Sequence, residues 1–141
     1  FIATHIPGEE ECILVGFSMG GIIARYYLQM LGGVQRVKRF IAIGSPHKGS
    51  IMAYFLPTYF FPGVKDLRPN SEVLRALQDS EGQLASLPVR AFFNPIDTMI
   101  IPPSSADWKP FPSFSTGWHF HPFMPFSRGV RKFLWNFIQS A

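Results

Sequence analysis

Three residue types, widely separated in the chain, could together carry out nucleophilic acyl transfer. Ser18 stands in Gly16-Phe17-Ser18-Met19-Gly20, Asp97 closes Asn94-Pro95-Ile96-Asp97, and two histidines occupy Gly117-Trp118-His119-Phe120-His121. A serine hydroxyl is a poor nucleophile at neutral pH. An imidazole must take its proton, and a carboxylate must fix the imidazole's tautomer and stabilise its charged form. The chain order Ser, Asp, His is one in which such a set occurs.

Each candidate has a rival. Asp107 lies in the same long loop as Asp97, but Asp97 follows a strand directly and is preferred; a lone loop aspartate is otherwise a turn former. His119 is preferred to His121, the second choice, because it follows Gly117 after the fourth expected strand and precedes the terminal helix. His47, in Ser45-Pro46-His47-Lys48-Gly49-Ser50, sits too near the end of the second strand and reads as structural, bonding its own loop. His5 reads as an ordinary surface histidine. The backbone N–H of Met19, next to the nucleophile and at a helix N-terminus, is placed to meet the oxyanion of a tetrahedral intermediate.

The elements that must position these groups are legible around Ser18. Residues 12–15 form a short apolar run, expected as a strand covered on both faces. A helix follows to about Leu31, with Ile22, Ile23, Tyr26, Met30 and Leu31 as its apolar stripe and Gly32-Gly33 as its stop. The tight turn between them needs Gly on both sides of a strained serine, because neighbouring Cβ atoms would collide with strand or helix. Residues 39–43 give a second buried strand, and strand–helix–strand favours parallel pairing with a right-handed crossover. Residues 51–69 are aromatic and proline-punctuated without clean periodicity, the pattern of a lid or pocket wall. Ser71 caps a helix bearing Val73, Leu74 and Leu77, with Glu72 in its first turn. Residues 89–93 form a third strand, 111–115 a weak fourth, and 128–138 a closing helix with Val130, Phe133, Leu134, Phe137 and Ile138 on one side. Residues 1–10 read as a helix end and a Pro7-Gly8 turn. Functional groups in such a sheet gather beyond the carboxyl ends of its strands.

Composition narrows the class. At 141 residues, 47% hydrophobic and 16% charged, the sequence describes one globular α/β domain. The net charge of +4 is scattered; only residues 128–132 cluster, and they open a helix, so a solvated face is expected and no nucleic-acid partner. The lone Cys12 excludes an internal disulfide, and no zinc spacing occurs. Neither metal nor cofactor is expected. The most apolar stretch, 51–64, is interrupted by Pro57 and Pro62 and falls short of a membrane span.

GFSMGG, a helix ending ARYYLQMLGG, then GSPHKGS together resemble the α/β-hydrolase lipases and esterases of the triacylglycerol lipase type, where GHSMGG and GTPHxGS stand in these places. DLRPNSEVLRAL resembles the segment after their lid, NPIDTMIIPPSSA their acid loop, and TGWHFHPF their histidine loop. The resemblance covers nearly the whole chain and implies Ser18 as nucleophile, Asp97 as acid and His119 as base. Phe17 replaces the usual histidine, and Trp118-His119-Phe120-His121 departs from the usual Gly-His. It also implies a second oxyanion donor from an HG-type loop after an earlier strand. Those strands have no counterpart here, and the chain opens on Phe1. The expectation is a partial α/β-hydrolase fold, mostly parallel and flanked by helices, forming the C-terminal portion of a longer hydrolase. Its first strand would then be an exposed edge, and loss of one oxyanion donor would cost about a hundred- to a thousandfold in turnover.

The expected activity is hydrolysis of carboxylic esters with lipid-like acyl chains, with a small-molecule ester or lipid as partner and transient contact with a lipid interface. A thioesterase or acyltransferase on the same turn is the near alternative. A non-catalytic binding module is the rival of another class.

Overall fold

The computed structural model describes residues 11–59 and 62–139; the turn expected over residues 1–10, and His5 with it, lies outside them. Among the described residues four strands form one sheet in the order β1-β2-β3-β4, every pair parallel: β1 (Cys12–Phe17), β2 (Val37–Ile43), β3 (Val89–Phe93) and β4 (Ser113–Ser115). Three α-helices among the described residues accompany them: α1 (Met19–Met30), α2 (Glu72–Asp79) and α3 (Arg128–Gln139).

Strand alternation explains why two layers of helix are needed. Successive side chains of a strand point to opposite faces. Phe40 and Ala42 of β2 join Val89 and Ala91 of β3 in a core with Ala24 and Leu28 of α1 and Trp108. Ile41, Ile43 and Phe92 turn the other way, onto Met124 and Val130, with Phe133, Leu134 and Phe137 of α3 against them. Phe40, Ile41 and Leu28 are fully buried, each worth about 1.5–3 kcal/mol of transfer free energy. A third cluster, Ile22 with Leu74 and Leu77, joins α1 to α2.

Helix ends follow their local chemistry. Ser71 caps α2 by accepting a hydrogen bond from the Leu74 N–H at 3.2 Å, and Glu72 sits in its first turn. After α1 the chain turns at Gly32 with φ 70°, a left-handed conformation that glycine adopts without Cβ strain.

Three expectations change. The apolar stripe of α1 is only in part its buried face: Ile22 and Met30 pack inward. Gly21, Ala24, Arg25 and Leu28 face inward with Ile22 and Gln29, whereas Ile23, Tyr26 and Leu31 are exposed. A small residue lets α1 approach the sheet closely, and the inward polar side chains find partners. β1 is half-buried rather than covered on both faces, since among the described residues it pairs on one edge only and Val15 is 45% exposed. In α3, Ile138 stands outside the packed face. The 51–69 excursion contains two short 3₁₀ turns, Ile51–Tyr54 and Pro62–Leu67.

The glycines around Ser18 divide unevenly. A Cβ on Gly16 would lie 2.5 Å from the Gly21 Cα, and one on Gly21 would lie 1.9 Å from Ser45 Oγ, while a Cβ on Gly20 meets nothing within 4 Å among the described residues. Close packing therefore falls on Gly16 and Gly21, not on both ends of the G-x-S-x-G. Gly16→Ala and Gly21→Ala are each expected to cost about 1–3 kcal/mol through overpacking. Gly20→Ala, inside a helix, should be neutral or stabilising by up to about 1 kcal/mol. Thermal unfolding of the three variants checks this; Gly20→Ala as the most damaging would contradict it.

Candidate active site

Ser18 follows the last residue of β1 and caps α1. Its backbone has φ 52° and ψ −126°, a region that L-residues rarely occupy. The Ser18 N–H donates to the Ile43 carbonyl at the end of β2 at 2.8 Å, so the neighbouring strand holds the strained residue in place. Met19 is the first residue of α1, where an amide has no intrahelical acceptor.

Asp97 lies four residues beyond β3, with its carboxyl fully buried. Oδ1 accepts from the backbone N–H groups of Met99 at 2.8 Å and Ile100 at 3.1 Å, and Oδ2 lies 2.6 Å from His121 Nδ1. Burial would raise the pKa of this carboxyl, but the His121 hydrogen bond, the two amides and attraction to the imidazole outweigh it. The net direction is downward from the ordinary 3.8. Asp97 is an acceptor on both oxygens at neutral pH.

His121 bridges the other two groups, its Nε2 standing 3.0 Å from Ser18 Oγ. With Nδ1–H donating to Asp97, Nε2 is left to accept the serine proton. The imidazole is 3% exposed and lies against the Phe17 ring, centroids 5.1 Å apart. Gly44, at φ 53°, packs beside it: a Cβ there would come within 3.2 Å of His121 Cε1 and 3.0 Å of Met124 Sδ.

The structure brings Ser18 and Asp97 together with His121, not with His119. The reason is the distance the last loop must cross. β4 and β1 are three strand spacings apart, about 14 Å. At His119 the chain has returned only as far as the end of β3, where Asn94 Nδ2 donates to the His119 carbonyl. Two residues later it has reached the end of β2, where the imidazole of His121 lies beside Gly44. His119 Nδ1 is buried and makes no hydrogen bond among the described residues. Counting the strands to be crossed is the sequence signal that would have favoured His121. Asp107 is bound to Lys109 at 2.7 Å.

Sequence reasoning missed a second buried polar cluster. Arg25, 1% exposed, donates to Gln29 Oε1, the Leu77 carbonyl, Glu81 Oε1 and His47 Nδ1, and its guanidinium lies 4.3 Å from the Trp108 ring centroid. Burial lowers its pKa to about 10, with Glu81 opposing. The His47 ring stacks on Trp108 at 4.0 Å. In place of the expected bond to its own loop, its ring reaches Arg25 and Trp108. Burial, then the charges of Arg25 and Lys48, push the His47 pKa well below 6.5.

Beside Met19, an apolar groove of about 410 Å³ runs between α1 and the Pro62–Leu67 turn, lined by Ile22, Ile23, Tyr26, Leu67 and Val73. Among the described residues, no group of three or more His, Cys, Asp or Glu is arranged to hold a metal ion.

Residues 4–83 match the family model described as palmitoyl protein thioesterase. The crystal structure of the mature form of a Bacillus licheniformis lipase, BlEst2, is similar over 89% of this chain, with a TM-score of 0.67 and 16% identity. The chain spans 64% of that lipase's length. At this identity the likeness is one of fold, and it identifies the sheet and its helices as part of an α/β-hydrolase fold. No curated protein sequence matches the chain.

Because His47 is held neutral when folded but takes a proton near pH 6.5 when unfolded, its contribution to stability is complete above that pH. It is lost as the pH falls below it, since the unfolded state then binds more protons. Asp97 adds a second loss below its ordinary 3.8. Urea unfolding is expected to show a midpoint that declines from pH 7.5 to 5.0, with a shallower decline in His47→Gln. An equally steep decline in the variant would refute a neutral buried imidazole.

Proposed function

The chain belongs to the palmitoyl protein thioesterase family, and from that premise we propose that it is a serine hydrolase cleaving carboxylic esters of lipid-like acyl chains. The carrying observation is the unbroken hydrogen-bonded series from Asp97 through His121 to the strained Ser18. Ser18 Oγ attacks the acyl carbon while its proton passes to His121 Nε2, and Asp97 balances the imidazolium. The carbonyl electrons move onto oxygen, which meets the Met19 N–H and the positive end of α1. Collapse expels the alkoxide, which takes the proton from Nε2, and leaves an acyl-serine. Water, deprotonated by the same nitrogen, attacks the acyl-serine to release the acid and restore the hydroxyl.

The family match favours a second substrate of the same chemistry, an acyl thioester, whose leaving group is a thiolate. The apolar groove supports an acyl chain in either case. It begins at Met19 and is closed on one side by Gly63, Asp66 and Leu67, which supports residues 51–69 as a pocket wall. Each methylene buried there would contribute about 0.8 kcal/mol.

A fluorophosphonate probe is expected to label the purified protein at Ser18 and to fail on Ser18→Ala. On nitrophenyl esters and acyl thioesters of increasing chain length, Ser18→Ala and His121→Gln should each lose about 10⁴-fold or more in kcat. His119→Ala should stay within a few-fold of the parent. Unlabelled Ser18, or loss of turnover only in His119→Ala, would overturn the assignment.

Phe55 and Tyr59 stand 75% and 88% exposed on the excursion, which supports transient contact with a lipid interface. No described helix is long and apolar enough to cross a membrane. Vesicle sedimentation is expected to weaken severalfold in Phe55→Ser/Tyr59→Ser; undiminished binding would argue against this contact.

A further inference from the structure

Ser50, the last residue of the GSPHKGS segment, takes no part in the chemistry above, yet its hydroxyl is fully engaged. It is 4% exposed. Its Oγ donates to the Met99 carbonyl at 3.1 Å and accepts from the N–H groups of Ile101 at 3.0 Å and Met52 at 3.2 Å. One donor and two acceptor sites are all that a serine hydroxyl offers. Beside these three bonds, the Ile51 N–H donates to the Ile101 carbonyl at 2.8 Å.

The position of these bonds matters more than their number. The Met99 carbonyl and the Ile100 N–H belong to one planar peptide unit. Its oxygen accepts from Ser50, and its N–H donates to Asp97 Oδ1. Fixing the oxygen fixes the direction of the N–H, because the plane cannot bend between them. Donation to the carbonyl also polarises the amide and strengthens the bond it gives to the carboxylate. With Oδ1 held in this way, Oδ2 is aimed at His121 Nδ1.

We infer that Ser50 is a positioning residue for the proposed hydrolase, orienting the Asp97 carboxylate through the Met99–Ile100 peptide so that His121 keeps Nε2 toward Ser18. The inference rests on the serine-hydrolase reading for its kinetic consequence and on geometry alone for its structural one. It assigns a role to a residue 47 positions before Asp97, supplied by the loop after β2 rather than by the acid loop itself. Ser105 provides the matched contrast. It ties the same two segments together, its Oγ donating to the Gly49 carbonyl and accepting from the Lys48 N–H, and among the described residues it makes no hydrogen bond to residues 99–101.

The test compares Ser50→Ala, Ser50→Thr and Ser105→Ala in the purified protein, with thermal unfolding to confirm folding. Ser50→Ala is expected to lower kcat about 10- to 100-fold with KM within twofold, Ser50→Thr to restore most of it, and Ser105→Ala to lower stability while leaving kcat near the parent. Independently of turnover, the low-field proton resonance of the His121 Nδ1–H shared with Asp97 should shift or broaden in Ser50→Ala and persist in the other two. Should the parent hydrolyse esters while Ser50→Ala keeps its kcat and its resonance, the positioning role is wrong and the hydrolase reading stands. A parent that neither hydrolyses nor labels removes the hydrolase reading, and the resonance then decides the geometry: an unchanged signal in Ser50→Ala overturns it. A kcat loss equal in Ser105→Ala and Ser50→Ala would also overturn it, as general loosening of the loop.

Discussion

The strained backbone at Ser18 is the constraint on which the rest of this molecule depends. A non-glycine residue at φ 52° and ψ −126° costs on the order of 1–3 kcal/mol and persists only where its surroundings over-determine it. Here they do so from three sides. β1 pairs with β2 so that Phe17 stands opposite Ile43, and the Ile43 carbonyl takes the Ser18 N–H. Gly16 and Gly21 then close on each other across the turn, and Ser45 fills the space beyond Gly21. The reward is geometric: the hydroxyl projects from the carboxyl edge of the sheet at the start of a helix.

A parallel sheet delivers its other strand ends to that same edge, which is why residues 79 and 103 positions downstream can meet Ser18. The meeting is electrostatically demanding. A buried carboxylate without partners would be too costly to keep, and Asp97 has three, two of them backbone amides of its own loop. Gly44, at the end of β2, leaves room for the imidazole that lies over it. Ser50 from the following loop secures the peptide that grips the carboxylate. The loop after β2 thus serves both ends of the hydrogen-bonded series, near the histidine and near the acid.

The Arg25 cluster plays a parallel part on the α1 side of the sheet. It fixes α1 to α2 through the Leu77 carbonyl, to Glu81 through an ion pair, and to Trp108 through the guanidinium over its ring. A buried ion pair of this kind adds little net stability over an apolar replacement. What it does is remove alternatives, because a buried guanidinium tolerates few arrangements of its partners. The helix that carries Met19 at its N-terminus is therefore held in register with the acid loop's far end.

Much of this was legible in the chain. Local signals locate β1, α1, α2, β3 and α3: short apolar runs, a Ser71 cap, a Gly32 stop and helical spacing are properties of neighbouring residues. The glycines and serine of the tight turn between β1 and α1, and an aspartate just past a strand, belong to the same short-range grammar. Other features depend on what lies across space. The choice of His121 over His119 turns on how many strands the last loop must recross. Which face of α1 is buried turns on Gly21 fitting against Ser45 and on Arg25 finding acceptors 52 and 56 residues away. Ser50 holding the Met99–Ile100 peptide follows from two loops lying side by side. Sequence by itself determined the elements and the chemistry they could carry, since propensity and residue type act over a few positions. Only tertiary structure decided which groups meet, because hydrogen bonds and packing contacts act across a few ångströms of space, wherever along the chain their partners come from.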